Sequence, residues 1–99
     1  MSILHTVVFA LSHPAGSVEE ARFLDDGERI LTGIPGVQEF TVRRQVSEKS
    51  DLRWQFSMRF ADQDAYDAYD AHPDHQGFVA ERWRTEVADF QEYDFVERG

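Results

Sequence analysis

No cysteine occurs anywhere in the 99 residues. Disulfides, thiolate metal sites and a cysteine nucleophile are thereby excluded. Basic residues are scarce as well: ten Lys and Arg stand against nineteen Asp and Glu, a formal net charge of −9. Such a surplus repels phosphate backbones and anionic lipid headgroups, so neither nucleic acid nor a membrane surface is expected as a partner. The Arg43–Arg44 pair does not alter this, because it stands alone inside a strand-like run. Long apolar runs are missing too. The opening MSILHTVVFAL has no positive lead, holds a histidine and is too short to span a bilayer. A cytoplasmic location is the default expectation. Repeats, linkers and low-complexity stretches are absent, and the length suits one domain over 1–99 whose thin core favours oligomerisation.

What is present reads as alternating strands and helices. Ile3 to Leu11 is apolar on both alternating faces, as expected of a strand central in its sheet. Ser17 and Glu20 form a capping box that opens a helix carrying Phe23, Leu24, Ile30 and Leu31 on one face, with Gly27 in the middle of that face. The IPG at 34–36 stops it. Val37 to Val46 is expected as a second strand and Leu52 to Phe60 as a third, separated by the polar turn SEKSD. Asp62 caps a short helix that reaches His72, where Pro73 both ends one helix and starts the next. Val79, Trp83 and Val87 are expected as the buried seam of that last helix. Phe90 to Val96 closes the chain as a strand whose apolar phase slips near Glu92, which reads as a bulge. The order β-α-β-β-α-β predicts an α+β, ferredoxin-like fold with an antiparallel sheet. Helices on one side leave the other sheet face bare, and a second copy of the same sheet is the simplest cover.

The stretch that carries chemistry is YDAYDAHPDHQGF at 66–78. Histidine titrates near neutral pH and tyrosine donates or accepts a hydrogen bond. His75 leads the i+4 series Val79, Trp83, Val87 and is thereby placed at the top of a buried seam. Tyr69 and His72 share a helix face at i, i+3, whereas Tyr66 is expected at the surface or the rim. His5 projects from the central strand among Ile3, Val7 and Phe9, an unusual residue for an apolar face. Each has a plainer reading: His75 as a tie for the helix corner, Tyr69 and His5 as satisfied core groups, His72 as a cap. His72, Asp74 and His75 make a poor metal set, because the proline fixes their directions and no fourth ligand is spaced to help.

ILHTVVFAL, IPGV at 34–37, WQFSMRF at 54–60 and AYDAHPDHQGFV at 68–79 resemble the stress-responsive A/B barrel (Dabb) family of dimeric α+β barrels, in order and spacing along nearly the whole chain. The resemblance implies a homodimer with a pocket in each subunit between helices and sheet. One plant member, olivetolic acid cyclase, closes a linear polyketide by an aldol condensation without metal or cofactor. Matched to this chain, its general base falls on His75 and its carbonyl-binding tyrosine on Tyr69, while a pocket-lining histidine falls on His5. His72 and Trp83 are expected to contact the substrate beside them. The residues between Tyr69 and His72 depart from the cyclase, here Asp70 and Ala71, so its substrate does not carry over. The resemblance thus implies a small organic ligand, no cofactor and no metal. A binding or structural protein whose histidines only hold the corner is the alternative.

Overall fold

The computed structural model describes residues 1–99 as four strands and a helical layer. β1 (Ile3–Leu11), α1 (Val18–Thr32), β2 (Gln38–Arg44) and β3 (Trp54–Phe60) are followed by α2 (Gln63–Ala71) and α3 (Pro73–Phe78). A π-helical turn (Val79–Trp83) and a closing turn, α4 (Arg84–Glu86), then lead into β4 (Val87–Phe95). All pairings are antiparallel in the order β2-β3-β1-β4, so β1 is central, as its two apolar faces require. The fold is the ferredoxin-like α+β arrangement expected. No helix is long and apolar enough to cross a membrane.

Capping follows the sequence closely. Glu20 N donates to Ser17 Oγ at 3.2 Å, and the Glu20 carboxylate reaches back to Gly16 N at 3.0 Å. Asp62 Oδ1 accepts from Ala65 N at 2.8 Å, starting α2. Gly27 is buried against the sheet, where an added Cβ would lie 2.8 Å from the Phe56 ring. The glycine is therefore a close-approach position. Around it Phe9, Phe23 and Phe56 are fully buried and meet edge-on or stacked.

Five expectations need correction. β3 begins at Trp54, because Gln45 Nε2 bonds the carbonyls of Ser50 and Leu52 and holds that segment as a turn. β2 is shorter than Val37–Val46 and is interrupted at Glu39, which has a φ of 51° where the pairing with β3 shifts. Val87 belongs to β4, since the helical path ends at Glu86, although its side chain still packs on the core. Finally, the bulge lies at the start of β4: Leu11 pairs with Val87 and Ala10 with Asp89, leaving Ala88 as the extra residue. Glu92 pairs regularly with Val7. The apparent slip arose because β4 turns carboxylates, Glu92 and Asp94, toward the helical layer in regular alternation with Phe90. Trp83, expected in a buried seam, is only half-buried in a single chain, as is Trp54.

Candidate functional site

The helix corner at His72–Pro73 is built from local bonds. The His72 backbone adopts an extended conformation, its Nδ1 accepts from Asp74 N at 3.1 Å, and Pro73 occupies the first helical position. His72 therefore caps α3, and it does not line the cavity that its neighbours surround. This cavity, of about 360 Å³, lies between β1, β3 and β4 below and the α2–α3–π segment above. Phe56, Met58, Phe78, Trp83 and Phe90 supply apolar wall, and His5, Tyr69 and His75 bring two imidazoles and a phenol to it. Three of the four side chains singled out in the sequence, together with Trp83, thus reach one space.

Their free atoms follow from hydrogen-bond chemistry. His75 Nδ1 lies 3.0 Å from the Asp70 carbonyl, which only accepts, so Nδ1 carries the proton and Nε2 keeps its lone pair. The ring also packs on Tyr69, with centroids 4.6 Å apart. The corner tie and the cavity position are therefore the same histidine. Tyr69 is 2% exposed and its hydroxyl has no partner within the chain, yet no sealed polar side-chain atom of the protein is left unpaired. The hydroxyl consequently opens into the cavity. Burial, reinforced by the charges of Asp70 and Glu92, raises the Tyr69 pKa well above that of free tyrosine. It stays a proton donor.

His5 is held by a cluster the sequence did not reveal. Its Nδ1 lies 2.6 Å from Asp94 Oδ1, directly across the β1–β4 pairing, and Tyr66 donates its hydroxyl to Asp94 Oδ2 at 2.9 Å. Tyr66 is half-buried over the His5 ring rather than a simple surface residue, with ring centroids 5.0 Å apart. Its own pKa is raised, first by burial and then by its bond to Asp94. With Nδ1 committed to the carboxylate, His5 Nε2 is the ring atom left without a protein partner. The signal for Asp94 was the phase of β4: Phe90, Glu92 and Asp94 fall at every second residue and so share the inner face.

Neither nitrogen pair suits a metal. The Nδ1 atoms of His72 and His75 are taken by backbone groups, and no three His, Asp or Glu side chains are grouped to hold an ion.

Comparison with known proteins places this architecture. A structure of a Dabb family protein with a ferredoxin-like fold from Mesorhizobium loti is 52% identical, with a TM-score of 0.98 over 99% of this chain and 98% of that one. A dimeric ferredoxin-like protein of unknown function from Thermobifida fusca shares 17% identity at a TM-score of 0.80, covering 98% and 92% of the two chains. The hydroxynitrile lyase of Passiflora edulis shares the fold at 10% identity and a TM-score of 0.83, over 99% and 95%. No functionally curated protein matches the sequence. The Stress responsive A/B Barrel Domain (Dabb) family profile matches residues 3–97, and the chain belongs to that family.

Proposed function

We propose that the protein is a homodimer that binds a small, largely apolar carbonyl compound in this cavity and acts on it without a cofactor, as a cyclase or isomerase. The observation that carries the reading is the meeting of an imidazole lone pair and an unpartnered phenol proton in a mostly aromatic space. In this reaction His75 Nε2 takes a proton from the carbon next to the substrate carbonyl. The C–H electron pair moves into an enolate, whose oxygen accepts the hydrogen bond of Tyr69. Attack of the enolate carbon on a second carbonyl of the same molecule forms the new bond, and the alkoxide recovers the proton from His75. His5, braced by Asp94, offers a second polar contact, and Trp83 forms part of the apolar wall.

Homodimerisation is supported by the open sheet face. Leu4 and Val8 on β1 lie there beside Tyr93 and Phe95, which are 47% and 51% exposed in one chain. The dimeric state described for the T. fusca protein of the same fold agrees with this. Sedimentation should give about twice the chain mass, and a monomer at micromolar concentration rejects the dimer.

The chemistry is tested with a simple diketone such as acetylacetone, monitored by NMR in D2O. Accelerated exchange of its α-protons, abolished in His75→Ala and weakened in Tyr69→Phe, is expected. Exchange no faster than in buffer, or unchanged in His75→Ala, rejects the enolisation step. A non-catalytic binding or structural protein is the second reading, favoured by the bond from His75 to the Asp70 carbonyl. It requires that His75→Ala unfold the corner while ligand binding in the folded fraction persists.

A further inference from the structure

One cation faces the cavity. Arg84 is its only Lys or Arg, and it forms no ion pair and no side-chain hydrogen bond. Arg82, two residues earlier, is by contrast held by both Asp26 and Glu86. Its placement has a backbone cause. In the π turn the Arg84 N–H bonds the Val79 carbonyl five residues back, so one turn of backbone returns with Arg84 on the side of Val79. An ordinary α-helical turn would return with Trp83 alone and direct Arg84 aside. As built, Val79, Trp83 and Arg84 all line the cavity. Single π turns are rare and frequently stand at functional sites.

The cavity is also polarised. Asp70 follows Tyr69 on α2 and stands 3.9 Å from His75, and Glu92 is two residues from Asp94 on the same face of β4. Neither is within ion-pair distance of Arg84. His75 and Arg84 are separated along the helical path by roughly 13 Å at the α-helical rise. A ligand that reaches both has its carbonyl at one end, its anion at the other and an apolar body between.

Resting on the carbonyl reading of the same cavity, we propose that Arg84 is a specificity residue that receives a carboxylate, and that the ligands are keto acids whose ketone and carboxylate are set well apart. A carboxylate fits because a guanidinium meets it through two parallel N–H donors. A phosphate dianion would leave a second charge without a partner, because Arg84 is the only Lys or Arg in the lining.

The test uses oxodecanoate with its ketone next to the terminal methyl, and its neutral amide, titrated calorimetrically into the full-length protein. NMR shifts of the Trp83 indole report occupancy of the cavity. The acid should bind about fivefold more tightly than the amide, the upper range for a partly exposed guanidinium contact. Arg84→Gln should remove that preference by weakening the acid only, and Arg84→Lys should restore part of it. The melting temperature should stay unchanged, since the Arg84 side chain bonds nothing in the protein and its backbone bond to Val79 is kept in the variant. Equal binding of acid and amide, or equal loss of both in Arg84→Gln, overturns the role of Arg84 and leaves the cavity as a carbonyl site. Absence of binding by either compound overturns both.

Discussion

Phe9 and His5 stand on the same strand and the same face of the sheet, yet they live in opposite surroundings. Phe9 is fully buried among Phe23, Phe56 and Trp83. His5 sits among Tyr66, Tyr69 and Asp94 beside an open cavity. The cover makes the difference. α1 is one continuous helix of 15 residues that comes down on Phe56 through a glycine. The other half of the cover is broken at Pro73 and widened again at the π turn, so it arches over the sheet instead of lying on it. Close packing gives stability and an arch gives space; one sheet face does both because its two covers differ in continuity.

Four measurements bear on this contrast. The largest effect is expected at the sealed end, where Phe56→Ala should cost about 3–5 kcal/mol by chemical denaturation. A loss near 1 kcal/mol would erase the distinction between a packed half and an open one. Next, Gly27→Ala should destabilise by about 1–3 kcal/mol, because its methyl group meets the Phe56 ring and the gain in helix propensity offsets only part of that. A stabilised variant would mean that α1 does not press on the sheet as described.

At the open end the same kind of change should cost less. His75→Ala should lose about 1 kcal/mol or less, since the Asp70 carbonyl keeps its bond from Gln76 Nε2 at 2.7 Å. Its effect should appear instead in the exchange assay, and a stability loss rivalling that of Phe56→Ala contradicts this. The smallest effect is a pH dependence. Hydrogen bonds from Arg82 and Arg29 hold the Asp26 pKa below its ordinary 3.8. For Glu86, burial pushes upward, but bonds from Arg82 and His13 outweigh it and the pKa is lowered from 4.5. Both carboxylates are depressed in the folded state. Their contribution is therefore present above the ordinary values and fades as pH falls below about 4.5 through the lowered ones. Asp26→Asn should flatten that acid limb of the stability curve, and an unchanged slope refutes the pairing.

The sequence by itself determined the elements and their order. Ser17, Asp62 and Pro73 act within a turn of their own position, and the alternation in β1 and β3 is a local pattern that burial on one face enforces. Spacing also marked His75 and Trp83 on an inward seam and His5 on an apolar face, and the family resemblance marked Tyr69. The reading misjudged β4, where inward carboxylates looked like a broken phase, counted His72 among the substrate contacts, put Tyr66 at the surface or rim, and passed over Arg84. Those residues take their meaning from tertiary contacts. His5 and Asp94 are 89 positions apart and meet only because β4 pairs with β1 in one register. Arg84 reaches the cavity only because the backbone makes one π turn. Local patterns decide which way a side chain points from its own element. Which groups it meets, and whether a space remains between them, is decided by how separate elements pair and pack, and no short stretch of sequence contains that information.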